Sequence, residues 1–335
     1  MSCRNYQVFA LGVCILGAAV SARAEEQVIL GVANNSGRQT RVAITNRSAT
    51  SAEVTLSVVA GDPGSSPDPK VITIAPLSTQ VYGDAFGEIW QLTDQQGVLR
   101  VASSQALLIS AARYVSSGDG GRVGSPLPIV SEQNLVGAGG YGDLPWIGQD
   151  ADPSTGLASN IAIYIAQPGT EADVVVFNSD GAQVAIQTIK TGPAWRQIPL
   201  SSLVSTELKV ARAELRVKSG SATALSELID GPTGRAIPSA LLTDGAATTD
   251  FALGSAFHNS ALGVIRLRTD LRLFNPGRTA ARIVARFGSG SYTTDLAPKA
   301  LLEVGDALGS LFGAEDGAQG LIQFQSSIPV DCHGA

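Results

Sequence analysis

Three stretches of the chain follow one plan, and a repeat of that length limits the fold more than any other feature of the sequence. The clearest statement is Arg268-Thr269-Asp270-Leu271-Arg272-Leu273-Phe274-Asn275-Pro276, a turn at Gly277-Arg278, then Ala280-Ala281-Arg282-Ile283-Val284-Ala285-Arg286-Phe287. It reads as a strand, an Asn-Pro turn and a returning strand. The first copy runs Arg41-Val42-Ala43-Ile44-Thr45-Asn46, turns through Thr50 and returns as Ala52-Glu53-Val54-Thr55-Leu56. The second runs Asn160-Ile161-Ala162-Ile163-Tyr164-Ile165, turns at Gln167-Pro168-Gly169 and returns as Ala172-Asp173-Val174-Val175-Val176-Phe177. All three turns precede an Ala-x-Val/Ile strand. Leu99-Arg100-Val101, Leu215-Arg216-Val217 and Leu321-Ile322-Gln323-Phe324 recur downstream, at a spacing of about 100 residues, the size of one β-sandwich domain.

Within the copies, apolar and polar residues alternate with a period of two, which places Val42 and Ile44 on one strand face and Arg41 and Thr45 toward water. The 37 Gly and 16 Pro scattered among Val, Ile, Thr and Ser, with one Met, point to many short strands joined by turns. A hydrophobic fraction of 44% argues against disorder. Gly305-Asp306-Ala307-Leu308-Gly309-Ser310-Leu311-Phe312-Gly313 predicts one or two helical turns plugging a sandwich end, with Asp84-Ala85-Phe86 and Leu200-Ser201-Ser202-Leu203-Val204 in similar places.

The expected fold is therefore all-β, with tandem immunoglobulin-like sandwich modules over 25–128, 129–239 and 240–335. The third ends at Ile328-Pro329-Val330 and a short tail, Asp331-Cys332-His333-Gly334-Ala335, so it is expected to lack its last strand. A sheet missing a strand exposes unpaired N–H and C=O groups, which invite self-association or strand addition through the third module.

The R-T-D-L-x-L-x-N-P turn, the L-x-x-L-F-G plug and the L-x-V strand resemble immunoglobulin-like repeats of large exported bacterial proteins. The resemblance covers the chain beyond residue 24 in outline and is close in the third copy; the first two lack the full Arg-Thr-Asp-Leu motif. It implies a sandwich fold and a structural or adhesive role, and it carries no catalytic residues.

Export is also expected from the N-terminus. Arg4 precedes an apolar run from Val8 to Val20 that is too short to span a bilayer and ends in Ala22-Arg23-Ala24, so residues 1–24 read as a signal peptide. Cys14 in Leu11-Gly12-Val13-Cys14 fits a lipoprotein signal less well, because Val13 is bulky. Cys3 and Cys14 would leave with the signal, and Cys332 alone can form no internal disulfide. Without Arg4 and Arg23 the 23 basic residues fall to 21 against 29 acidic. An acidic chain lacks the basic stripe that nucleic acid or an anionic membrane surface requires. No later apolar stretch is long enough to span a membrane, and secreted or periplasmic residence follows.

Few residues carry chemistry. Gly137-Ala138-Gly139-Gly140-Tyr141-Gly142 has dinucleotide-fingerprint spacing, but Asp143-Leu144-Pro145-Trp146 follows where a helix is required, so the segment reads as a loop between modules. No cofactor or metal is expected. Tyr141 and Trp146 are the candidate binding residues, as rings that could stack on a sugar; the alternative is a Trp folded back as a hydrophobic lid. His258, in Phe257-His258-Asn259-Ser260, is the candidate base were the chain a hydrolase. The carboxylate pairs Glu171/Asp173, Glu303/Asp306 and Glu315/Asp316 sit where turns or helix ends expect acids. Asp150 and Asp152 form no calcium-loop run. Arg266, Arg268, Arg272, Arg282 and Arg286 read as an outward strand face paired with carboxylates. The expected function is that of a non-enzymatic structural or adhesive protein with an extracellular protein or glycan partner, ahead of a carbohydrate-binding accessory protein and then a hydrolase.

Overall fold

A computed structural model describes residues 25–334 apart from 36, 62–64, 117–121, 153–154, 191, 232–235, 244–247 and 263–264, so the expected signal peptide lies outside the described residues. The first group of elements is β1 (Glu25–Asn35), β2 (Arg38–Asn46), β3 (Ala52–Ala60), β4 (Lys70–Ile74), β5 (Thr79–Tyr82), α1 (Ala85–Trp90), β6 (Gln95–Ser103), β7 (Leu107–Ser116), β8 (Arg122–Pro126) and β9 (Ile129–Ser131). The second is β10 (Val136–Gly137), β11 (Tyr141–Gln149), β12 (Leu157–Ile165), β13 (Glu171–Asn178), β14 (Gln183–Lys190), β15 (Ala194–Pro199), α2 (Leu200–Leu203), β16 (Leu208–Ser219), β17 (Ser221–Asp230) and β18 (Ala236–Ala240). The third is β19 (Thr248–Phe257), β20 (Ser260–Leu262), β21 (Ile265–Leu267), β22 (Leu271–Phe274), β23 (Ala281–Phe287), β24 (Gly290–Leu296), β25 (Leu301–Val304), α3 (Ala307–Phe312) and β26 (Gln319–Gly334).

One antiparallel pairing scheme appears three times. β4-β3-β6-β1 faces β5-β2-β7-β8, β14-β13-β16-β11 faces β15-β12-β17-β18, and β24-β23-β26-β19 faces β25-β22-β26. Immunoglobulin sandwiches also join the second strand to the fifth and the third to the sixth. Here, however, the first strand takes the edge beside the sixth and the seventh strand pairs with the second, so the first and seventh strands have traded sheets.

Alternation fills the space between the layers with side chains from equivalent places. Val42, Ile44, Val54, Leu56, Leu99 and Val101 are buried in the first sandwich, and Ile161, Ile163, Val174, Val176, Leu215 and Val217 in the second. Leu271, Leu273, Ile283, Ala285, Ile322 and Phe324 do the same in the third. Truncating any large member of these sets would cost about 2–5 kcal/mol.

Polar side chains fix the geometry around these cores. The hydroxyls of Thr40, Ser159 and Thr269, all buried, accept the backbone N–H of Ala33, Gly148 and Phe257, each at 2.9 Å. Six residues after each threonine stands a fully buried asparagine, Asn46 or Asn275. The Asn46 amide donates to the carbonyls of Thr50, Ile74 and Ala75 at 2.7–3.1 Å and its oxygen accepts from Ser48 N–H at 2.9 Å. Asn275 repeats the set with Thr279, Leu296, Ala297 and the N–H of Gly277. These amides satisfy turn carbonyls that would otherwise be buried unpaired. The second sandwich has Ile165 at the corresponding position and no such bracket.

Short helices plug one end of each sandwich, and the end of each first strand ties to its plug. Asn34 donates to the Asp84 carboxylate at 2.6 Å, while Asp84 caps α1 by accepting the Gly87 N–H. Gln149 donates to the carbonyls of Val204 and Thr206 just after α2, both at 2.7 Å. His258 meets Asp306 ahead of α3.

The third sandwich differs from expectation at its C-terminal end. β26 pairs with β23 up to Ser326 and with β19 up to Gln325, crosses to the other layer through 327–329, meets Thr248 of β19 once more at Val330 after a register shift, and pairs with β22 from Asp331 to Gly334. The segment that reads as an unrelated tail is thus a last strand of four pairs, in the place β7 takes against β2. It is hidden in the sequence because no turn separates it from the sixth strand and Asp-Cys-His-Gly shows no apolar alternation. Pro329 falls in the crossover, where its missing N–H costs no ladder bond.

Candidate functional site

The first two sandwiches share a buried junction. The outward side chains Val28, Leu30, Val59 and Val98 form one cluster with Ala162, Tyr164, Trp195 and Leu225. β1 is therefore buried on both faces, since Ile29 and Val32 belong to its own core. Arg113 and Glu227 ion-pair across this junction with each side chain 4% exposed, and Ser125 donates to the Ala236 carbonyl at 2.7 Å. Burial pushes the Tyr164 hydroxyl up to about 12.

The candidate binding residues fall near the junction of the second and third sandwiches. Both lie on strand β11 rather than on a loop: the turn at Gly137 and Gly140, closed by a 2.9 Å backbone hydrogen bond, leads straight into the strand, with no helix to receive a pyrophosphate. Tyr141 is partly exposed, with the Lys299 ammonium 5.0 Å from its ring centre. Trp146 is 5% exposed, with the Arg272 guanidinium 5.8 Å from its ring centre. Between them Asp143, 4% exposed, accepts from Arg212 at 2.9 Å and from Lys299 of the third sandwich at 2.8 Å. Burial pushes the Asp143 carboxyl above its usual range even against the Lys299 and Arg212 charges. Arg212 also lies 3.9 Å from the centre of the Phe177 ring and reaches Glu214, which continues the charge ladder to Arg216.

The remaining candidates are spread apart. His258 has Nδ1 2.7 Å from Asp306 and Nε2 3.3 Å from Asp316, so each ring nitrogen faces a carboxylate. This tie matches the Asn34 link to Asp84 in the first sandwich, and the corresponding side chain has changed from amide to imidazole. Glu171 and Asp173 pair with Lys218, and Glu171 also with Lys190. Asp150 accepts the Leu157 N–H at 2.8 Å. Arg272 pairs with Glu303 directly across the β22–β25 ladder, Arg268 lies against Asp270, and Arg286 donates to Gln325. The Arg266 side chain lies outside the described residues. Among the described residues no three His, Cys, Asp or Glu side chains gather as a metal would require.

Sequence reasoning missed a cleft at the first junction. A cavity of about 370 Å³ is lined by Asn35, Asp94, Gln95 and Gln96 from the first sandwich and by Trp195, Arg196 and Gln197 from the second. Two atoms of its lining residues, Trp195 Nε1 and Asn35 Oδ1, are buried without a hydrogen-bond partner. The usable signal was Val28-Ile29-Leu30 and Ile161-Ala162-Ile163-Tyr164-Ile165, continuous apolar runs that mark strands covered on both faces. Comparison with known proteins finds no matching family model, no matching curated protein and no matching solved structure.

Proposed function

We propose that the chain is an exported, non-enzymatic structural or adhesive protein whose sandwiches present outer sheet faces and end loops to an extracellular partner, and that its modules are of the immunoglobulin-like repeat kind. The observation that carries this reading is the packing of successive sandwiches through buried side chains, an apolar cluster with the Arg113–Glu227 pair at one junction and the Asp143–Lys299 pair at the other. Packed junctions suit a spacer or display body, which must hold its outer surfaces at a fixed separation. Strand addition supplies one mode of attachment, since the Asp331–Gly334 strand has β22 on one side and, among the described residues, no strand on the other. Export rests on the N-terminal sequence; among the described residues no helix is long and apolar enough to cross a membrane.

A second reading, glycan retention at the Tyr141 and Trp146 junction, is favoured by the partly exposed Tyr141 ring beside Lys299. The test is binding of the purified chain lacking 1–24 to glycan and extracellular-matrix protein arrays, with Tyr141→Ala, Trp146→Ala and His258→Ala alongside. Protein-spot binding retained by all three variants supports the adhesive reading. A glycan signal lost in Tyr141→Ala or Trp146→Ala supports the second reading, and silence on every spot removes both.

A further inference from the structure

We infer that the cleft between the first two sandwiches is a binding site for a small neutral saccharide. Its lining determines the ligand class. Four carboxamides, Asn35, Gln95, Gln96 and Gln197, supply donors and acceptors together, as a ligand whose every hydroxyl both gives and takes a hydrogen bond requires. Among the described lining residues Asp94 and Arg196 bring one charge of each sign, so these residues offer no net charge to hold a phosphate or a carboxylate. Trp195 is the aromatic residue among the described lining, and at 1% exposed it contributes its ring N–H rather than an open stacking face. The volume of about 370 Å³ accommodates one or two sugar rings.

A second, independent observation points to a ligand here. Trp195 is 1% exposed, and its N–H lacks a partner, as does the Asn35 side-chain oxygen. Buried polar groups nearly always find partners, so two orphans of opposite polarity on residues that line the same polar cavity mark the place of an absent one. A ligand hydroxyl can accept from one and donate to the other once the partly exposed Gln96 and Gln197 side chains shift to admit it. Because residues from both sandwiches line the cleft, the ligand bridges them, and binding stabilises the junction by mass action. This site is separate from the Tyr141 and Trp146 junction and does not depend on the adhesive reading.

The experiment is saturation-transfer NMR and tryptophan-fluorescence titration of the chain lacking 1–24. The probes are glucose, N-acetylglucosamine, maltose and cellobiose, with glucuronate and glucose 6-phosphate as charged counterparts. The expected result is saturable binding of at least one neutral probe, weaker binding of its charged counterpart, and a loss of about tenfold in Gln96→Ala and in Gln197→Ala, the equivalent of one hydrogen bond each. Trp195→Phe, which keeps an aromatic ring and removes the N–H, should weaken binding severalfold and, because the smaller ring leaves a gap in the buried junction cluster, also lower the thermal midpoint. Three results would overturn the inference: no neutral probe bound at tens of millimolar, binding undiminished in a Gln96→Ala/Gln197→Ala double variant, or binding abolished by Tyr141→Ala instead.

Discussion

Asn46→Ala tests whether the buried amide brackets hold the sandwich turns. The amide nitrogen has two hydrogens to share among the carbonyls of Thr50, Ile74 and Ala75, and the oxygen takes one more bond from Ser48. Removing the side chain therefore deletes the equivalent of three hydrogen bonds at about 1 kcal/mol each, and the buried Ile74 carbonyl loses its partner. The loss comes to about 3 kcal/mol, which lowers the protection of amides in β2, β3 and β4 about a hundredfold in native-state hydrogen exchange. Because three linked sandwiches need not unfold in one step, exchange resolved by segment is the suitable assay. Asn275→Ala should produce the same loss in β22, β23 and β24 and leave the first sandwich untouched. Protection falling by less than about fivefold in both variants, or falling equally across all three sandwiches, would refute the bracket as the source of turn stability.

Glu227→Gln should destabilise the first junction by about 3–5 kcal/mol by leaving Arg113 buried and unpaired, while the double change Arg113→Met/Glu227→Met should recover most of the loss in a thermal-melt comparison. Gly97→Ala should strongly reduce the soluble folded yield, because a Cβ there would meet the Val59 carbonyl oxygen at 2.2 Å. Hydrogen bonds and charge from Lys190 and Lys218 hold the Glu171 carboxyl below its usual value; at Asp173 burial pushes the other way but Lys218 and Thr188 prevail. Their stability contribution is thus present above the unfolded values and lost as pH falls, so Lys218→Met should flatten the acid side of a stability profile between about pH 3 and 5. Asp143, raised by burial, has the opposite sign: its contribution is greatest below its unfolded value and is lost as pH rises through the folded one, so Asp143→Asn should steepen the acid loss.

The core positions were legible because alternation states them directly: Val42 and Ile44, or Leu271 and Leu273, could face inward only together. The Thr40, Ser159 and Thr269 hydroxyl bonds were not, since a single polar residue at a strand start looks like surface until the preceding strand is seen to present an N–H to it. The Asn275 turn was visible as Asn-Pro, yet its three-carbonyl bracket depends on where 296 and 297 return, a tertiary fact. β26 was misread for want of a turn. Tyr141 and Trp146 drew attention as scarce aromatics; what surrounds them was set by Lys299 and Arg272, more than a hundred residues away. Trp195 and its glutamines had no local signature at all, because the cleft exists only once two outer sheet faces meet.

The traded edges of each sandwich carry a consequence for how the protein comes into being. Val28 hydrogen-bonds opposite Arg100 and Tyr141 opposite Arg216, so in each of these sandwiches the strand synthesised first must wait for one made some seventy residues later, a slow, nonlocal closure. β1 waits longer still, because Val28 and Leu30 are covered only when β12 and β17 arrive. Until β6 is made the nascent chain trails an apolar, β-prone segment paired only at its hairpin end with β2, and until β12 and β17 arrive one face of it stays open, the kind of stretch that aggregates unless a holding chaperone shields it. The cover that residues 25–34 gain only from strands made later thus bears on the folded yield separately from the stability of the finished fold.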